Sequence, residues 1–274
     1  VGVPRLLVTG ASGFLGGAVV AAATAAGWEV FGTALTHSGW IALDVCDAAA
    51  VDGVVGRVAP DAIIHTAYRQ HGEQAMAVNA TGARHVAAAA RTAGARLVHV
   101  SSDAIFAGDG DRPLREEDIV RPVTAYGATK AAGEVAVQAA NPDALMVRTS
   151  LLIGGPGQPQ SLHEWLALAV ARGEQQMAFF TDEVRSPIQV DDLAAAMLEL
   201  AAQEGSGPLH VGGADDVSRL EFAELVVAAA GFDASLLRGA AAPPDRPRHC
   251  PLDSGLAIAR LQTRLRGARE IYAG

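Results

Sequence analysis

The chain is short of the residues on which several classes of protein depend. Its two cysteines, Cys46 and Cys250, are too few and too far apart for a disulfide framework or a zinc site, and no metal is expected. Aromatic residues make up 5% of the total, and no apolar run approaches the ~20 residues of a membrane span. Basic side chains are outnumbered, Lys+Arg 21 against Asp+Glu 30, for a formal charge of −9. That is the reverse of the basic stripe by which a nucleic-acid binder is known. Charged residues are 19% against 50% hydrophobic, so long solvated tracts are missing too. The surplus of alanine is not low complexity, because alanines fall in blocks such as 19–26 and 86–93, where alanine is the best helix former. The first strand is expected near Arg5, which leaves no stretch for a secretory signal. A soluble cytoplasmic protein is the expectation, with no membrane or nucleic-acid partner.

What is present is an alternation. Strands are expected at 5–9, 29–33, 61–65, 96–101 and 144–149, with helices at 14–26, 47–58, 81–93 and 125–140 between them. Strands separated by helices of this length imply right-handed crossovers and an α/β fold, a Rossmann-type doubly wound parallel sheet. After 150 the rhythm breaks into a Gly/Pro loop at 154–159, helices at 161–172 and 190–204, and an extended Ala/Pro stretch at 240–247. Ser218-Arg219-Leu220-Glu221 reads as a capping box opening a helix to about 230. The expected division is a dinucleotide-binding domain at 1–150 and a smaller, mainly substrate-binding lobe at 151–274, laid over the open end of the sheet. Helix 190–204 is expected to pack back on the core.

Thr9-Gly10-Ala11-Ser12-Gly13-Phe14-Leu15-Gly16 sets glycines three apart between the first strand and the first helix. A sharp turn, a close backbone approach to a pyrophosphate and tight helix–strand packing each call for Gly, and the anion then meets unsatisfied N–H groups at the helix start. The cofactor is therefore expected to be NADP(H) or NAD(H). The stretch Thr33-Ala34-Leu35-Thr36-His37-Ser38 after the second strand has neither the carboxylate that marks NAD nor an Arg for a 2′-phosphate. With no carboxylate to repel the phosphate, NADP(H) is slightly favoured.

Tyr126 and Lys130 stand four apart on the helix at 125–140 and share a face. A phenol ionises near pH 10, and a neighbouring ammonium brings it towards the working range of a general acid. Ser102, at the end of the strand before it, offers a hydroxyl to a substrate carbonyl. Tyr126, Lys130 and Ser102 are the expected catalytic residues. His65 reads as packed, and His249 beside Cys250 supplies too few ligands for a metal. Arg185 and Arg246 suit a diphosphate as phosphate-binding forks; surface charge is the alternative.

These stretches together resemble the extended short-chain dehydrogenase/reductases, in the subfamily of the dTDP-4-dehydrorhamnose reductases, which also holds the regulatory beta subunit of methionine adenosyltransferase. The resemblance runs through residues 7–16, Val78-Asn79-Ala80, the segment 101–108, Arg115-Glu116-Glu117-Asp118, 126–134, Arg148-Thr149-Ser150, Val190-Asp191-Asp192-Leu193-Ala194 and, most discriminating, 246–253. It implies cofactor contacts at Gly10, Ser12, Gly13, Phe14, Leu15, Gly16, Asp44, Val45, Thr66, Ala67, Tyr68, Tyr126 and Lys130. Substrate contacts are implied at Ser102, Asp103, Arg185 and Arg246. Two positions that touch the sugar in the family depart from its pattern: Ala104 stands where an aromatic residue is usual, and Leu151 where Trp is frequent. A single carboxylate, Asp103, at that turn argues against the related sugar dehydratases. The implied activity is NAD(P)H-dependent reduction of a nucleotide-activated 4-keto-6-deoxysugar. The alternatives are a cofactor-binding regulatory subunit and a reductase of a non-sugar ketone; a homodimer is compatible with any of these.

Overall fold

A computed structural model describes residues 2–273. In chain order the elements of the first part are β1 (Arg5–Thr9), α1 (Phe14–Ala25), β2 (Glu29–Ala34), β3 (Ile41–Ala42), α2 (Ala48–Val58), β4 (Ala62–His65), a π-helical turn (Ala77–Gly82), α3 (Ala83–Ala93), β5 (Arg96–Ser102), α4 (Ala125–Ala140) and β6 (Leu145–Thr149). There follow β7 (Leu152–Ile153), α5 (Leu162–Ala171), β8 (Ala178–Phe180), β9 (Val184–Arg185), β10 (Ile188–Gln189), α6 (Val190–Ala201), β11 (Gly207–Val211), β12 (Val217–Ser218), α7 (Arg219–Ala229), β13 (Arg238–Ala240), α8 (Gly255–Ile258) and α9 (Ala268–Tyr272).

The chain forms two compact units, each assembled from separated stretches. The first runs to Ser102 and adds Ala125–Arg148 and Ala194–Leu209; the second holds Asp103–Thr124, Thr149–Leu193 and the chain from His210 onward. The sequence suggested a single division near 150. The difference arises because the 103–124 segment is claimed by long-range bonds within the second unit. Leu114 pairs with Leu252, and the backbone N–H of His249 donates to the carbonyl of Gly108. Gly108 has φ +65°, and a Cβ there would stand 2.7 Å from Cys250 Sγ. The two motifs at 101–108 and 246–253 are therefore joined by a close approach that only glycine allows.

The sheet order is β11-β6-β5-β4-β1-β2-β3. Its pairings from β5 through β4, β1 and β2 to β3 are parallel, in the registers Val98↔Ile64, Ile64↔Val8 and Val8↔Gly32. Chain direction across the sheet reverses between β1 and β4, the place where open α/β sheets bind ligands beyond their strand C-termini. Leu6, Leu7, Val8, Ile63 and Ile64 are buried without alternation, as strands covered on both faces require. On one face Leu7, Ile63 and Leu97 pack with Val51, Val55 and Val86. The strand β11 was not expected from the sequence. Its Gly207-Pro208 start reads as a loop, and proline is tolerated because β11 lies at the sheet edge.

The second unit has its own core, with Ile153, Leu168, Phe179, Phe222, Val226 and Tyr272 among its members. Its strands have two or three residues, too short to show a period. The complete capping box lies at Ser161 and Glu164, where α5 begins. At Ser218 only half of the expected box forms. Ser218 accepts from the N–H of Glu221, whereas the Glu221 carboxylate pairs with Arg269 at 2.6 Å.

Within the first unit Arg148 on β6 forms a fork on Glu134 of α4, at 2.8 and 3.0 Å, with both side chains nearly covered. Arg148→Met is expected to cost about 3–5 kcal/mol in urea unfolding, since a lone carboxylate is left buried. Arg148→Met with Glu134→Leu should lose clearly less; equal losses would show that the pair is not coupled.

Candidate active site

The glycine turn is shaped by contacts that leave its outer side open. The N–H groups of Gly10 and Ala11 both donate to the carbonyl of Thr33 at the end of β2. Gly10 has φ +78°, and a Cβ would come within 2.8 Å of the backbone of Ala67. At Gly16 a Cβ would sit 2.1 Å from the carbonyl oxygen of Gly10, so this glycine is required for packing α1 on the turn. Gly13 differs: its backbone is extended (φ −81°, ψ 168°), and a Cβ would lie 3.3 Å from the Gly10 oxygen. Gly13 is also the N-cap of α1, with no side-chain cap and no acidic residue in the first turn. Ser12 and Gly13 are exposed, and Phe14, Leu15 and Gly16 form the uncapped helix start. Uncapped N–H groups with the positive end of the helix dipole, beside a backbone stripped of Cβ atoms, fit a pyrophosphate.

The remaining expected cofactor residues of this unit fall on strand ends or just beyond. Thr66 follows β4 and donates its hydroxyl to the carbonyl of Thr9 at 2.8 Å. Ala67 underlies Gly10, and Tyr68 is exposed with its ring edge-on to Tyr126, centroids 6.2 Å apart. Asp44 is exposed and accepts from the N–H of Cys46; Val45 is buried against Gly82. The β2 end carries no carboxylate, and Leu35 there is exposed.

Tyr126 and Lys130 lie in the first turns of α4, and Ser102 ends β5. Lys130 is 3% exposed, and its Nζ donates to the carbonyl of Val100 at 2.6 Å. Burial pulls the Lys130 pKa from 10.5 down to about 8, and the carboxylate of Glu134, one turn on, opposes the fall. Asn79, in the π-helical turn, holds α4 from the other side. It donates to Thr129 Oγ1 at 2.8 Å and brackets the backbone of Arg69 with its two amide ends, while Thr129 donates to the carbonyl of Tyr126. A Cβ on Gly133 would meet the Asn79 carbonyl at 2.4 Å. The sequence offered Asn79 only as part of a matching stretch, and no spacing rule exposed its place under the Tyr–Lys turn. His65 is buried, paired with Thr9 Oγ1 at 2.5 Å and stacked on His99; burial, then Lys130, lowers its pKa to about 3.

In the second unit Asp103 accepts from Ser150 Oγ at 2.6 Å and lies 3.5 Å from Arg185 Nε. Arg185 is 5% exposed and engaged with the carbonyls of Val184, Pro247 and Arg248 as well. Arg246 keeps a half-exposed guanidinium, forked on Glu183 and set over the Phe180 ring. Burial pushes the Cys250 thiol up to about 12. Among the described residues no group of His, Cys, Asp and Glu is arranged to hold a metal, and no helix is long and apolar enough to cross a membrane.

A family model for the RmlD substrate binding domain matches residues 4–271. The chain belongs to this family. It is 36% identical over 276 residues to a dTDP-4-dehydrorhamnose reductase of Mycobacterium tuberculosis, covering 96% of this chain and 87% of the relative. It is 34% identical over 250 residues to a dTDP-4-keto-6-deoxy-D-glucose reductase of Streptomyces niveus, covering 88% and 83%. A dTDP-4-dehydrorhamnose reductase of Bacillus anthracis, solved in complex with NADP, matches with a TM-score of 0.85 at 25% identity, over 98% of this chain and 96% of that one. The Rossmann-type fold is that of the extended short-chain dehydrogenase/reductases.

Two outcomes follow from the turn and the lysine. Gly13→Val should fold with little change in thermal midpoint yet lose NADPH binding. Gly16→Ala should destabilise by more than the ~1–3 kcal/mol of ordinary overpacking; reversal of the two results would misplace the pyrophosphate. Lys130→Met should stabilise the ligand-free protein at neutral pH. With a folded pKa of about 8 and an ordinary value of 10.5, the ammonium is charged in both states below pH 8 and carries its full desolvation cost there. Between those values the unfolded chain holds more protons, so wild-type stability rises with pH. The advantage of the variant, on the order of 3 kcal/mol below pH 8, should vanish by about pH 10.5. A gap that does not change with pH would contradict the buried ammonium.

Proposed function

We propose that this chain is an NAD(P)H-dependent ketoreductase acting on a nucleotide-activated 4-keto-6-deoxysugar. The observation that carries the reading is the buried ammonium of Lys130, fixed on the carbonyl of Val100 one helical turn from Tyr126. An ammonium is not buried so without use, since its desolvation is costly. The reductases of thymidine-diphosphate sugars among the relatives support the substrate class.

Bound at the glycine turn, the nicotinamide cofactor supplies the hydride. Gly10, Ser12, Gly13, Phe14, Leu15 and Gly16 hold its pyrophosphate, and Asp44, Val45, Thr66, Ala67 and Tyr68 line the rest of its path. The Ser102 hydroxyl orients the ketone oxygen. Tyr126 donates its phenolic proton to that oxygen as negative charge develops there, and Lys130 favours the resulting phenolate and holds the nicotinamide ribose. Asn79 fixes the carbonyl of Tyr126 through Thr129 and so sets the orientation of the first turn of α4. In the second unit Asp103 and Arg246 contact the substrate. Arg185 reaches it only by giving up one of its carbonyl or carboxylate acceptors.

Tyr126→Phe should lower turnover of a thymidine-diphosphate 4-keto-6-deoxysugar by at least about a hundredfold and leave the Kd of NADPH nearly unchanged. Turnover that survives this change removes Tyr126 from the chemistry. NADPH and NADH should differ by less than about 2 kcal/mol in binding, since the loop after β2 offers at most a neutral hydrogen bond to the 2′-phosphate. A thousandfold preference would assign that phosphate a partner elsewhere.

A further inference from the structure

A row of polar side chains crosses the sheet of the first unit where apolar residues are the rule. Thr33, Thr9, His65 and His99 are register partners on β2, β1, β4 and β5, and each is 1% exposed. Two residues earlier on each strand stands an apolar side chain of the core beneath α2 and α3: Phe31, Leu7, Ile63 and Leu97. The period of two sets the polar row on that same buried face. Neither histidine takes part in the proposed chemistry.

The glycine turn hangs from this row. The carbonyl of Thr33 accepts from Gly10 and Ala11, and the carbonyl of Thr9 accepts from the N–H and the hydroxyl of Thr66. Thr9, the residue before Gly10, is fixed by its own hydroxyl on His65 Nδ1 at 2.5 Å. His65 stacks on His99, with ring centroids 5.2 Å apart and planes 24° from parallel. Neither nitrogen of His99 has a hydrogen-bond partner among the described residues, so that ring holds His65 by packing. Its Nε2 faces α4 at Gly133, 3.9 Å from where a Cβ would stand.

The charges acting on the rings are Lys130 from α4 and, on His99, the other imidazole; no carboxylate takes part. Thr9, from β1, is neutral, and Glu134 of α4 is forked on Arg148. Burial, then Lys130, lowers the His65 pKa to about 3. Burial, Lys130 and His65 hold His99 well below its ordinary 6.5. Both rings are therefore neutral in the closed row, whereas a ring released to water takes a proton in mild acid.

We propose that His65 and His99 form an acid-sensitive latch on the glycine turn, closed while both rings stay buried and opened when they reach water. The latch stands on the polar row; that the turn binds a nicotinamide cofactor rests on the reading given under the proposed function. Below about pH 6.5 the opened state gains protons that the closed state refuses, so the latch is strongest above that value and weakens as pH falls. Each ring set free adds about tenfold per pH unit to the opening equilibrium.

Amide hydrogen exchange of the full chain, followed by NMR from about pH 7 to pH 5 with and without NADPH, tests the latch. Protection of the Gly10 and Ala11 amides, corrected for intrinsic exchange, should fall at least about tenfold in the ligand-free wild type, while the amides of α2 hold level. His99→Leu, which removes two unpartnered buried nitrogens, should halve the logarithm of that fall. Adding His65→Asn, which keeps a polar atom beside Thr9, should abolish it. Saturating NADPH should restore wild-type protection in acid. A fall shared equally by α2, or one that persists in the double variant, overturns the latch. Opening as described, with NADPH changing no protection at any pH, upholds the latch and overturns the cofactor reading of the turn. Protection by NADPH, with wild-type protection independent of pH, overturns the latch and leaves the cofactor reading standing.

Discussion

A buried ammonium is the constraint on which the first unit is arranged. Lys130 is out of water, and its charge survives because the carbonyl of Val100 accepts from it and Glu134 stands one turn away. Glu134 is itself held by Arg148, so the helix α4 is tied to the ends of two strands, β5 and β6, through charge rather than apolar packing alone. On its other flank Asn79 and the absent Cβ of Gly133 bring the π-helical turn against the same helix. A π turn of this kind is rare and frequent at functional sites, which suits its place against the first turn of α4. Under the proposed function, stability is sacrificed at one point to hold a cation one helical turn from a phenol, the kind of trade that active sites make.

The fold was legible in the sequence where periods were long. The five strands of the alternation and the helices between them lie within a few residues of their expected places, because fully buried strands flanked by helices leave little ambiguity in residue pattern. The glycine turn was legible for the same reason as its chemistry: Gly10 and Gly16 are forced by backbone contacts that no other residue fits. What escaped was short or long-range. The edge strand at Gly207–Val211 hides behind Gly and Pro, and the two-residue strands of the second unit have no period. The transfer of the 103–124 segment to the second unit depends on Gly108 meeting Cys250, a contact between residues far apart in sequence.

The candidate site was legible by residue type and less so by partner. Tyr126, Lys130 and Ser102 could be named from spacing, but the carbonyl that holds Lys130 and the amide that sets α4 could not. The arginines show the limit most clearly. Arg185 and Arg246 look alike in sequence, whereas the structure surrounds one with backbone carbonyls and leaves the other half exposed. Glu183, the carboxylate they share, lies in a segment where the sequence offered no motif.

The proposed function makes one central claim, that hydride passes from the nicotinamide C4 to the ketone carbon of a nucleotide sugar while Tyr126 supplies the proton. Label transfer tests it most directly. The protein is incubated with a thymidine-diphosphate 4-keto-6-deoxysugar and NADPH deuterated at the nicotinamide C4, and the recovered sugar is analysed by mass spectrometry and NMR. The account expects a single deuterium on the new carbinol carbon and none elsewhere in the sugar. Recovery of unreduced ketosugar, with the labelled NADPH bound and unconsumed, would contradict it.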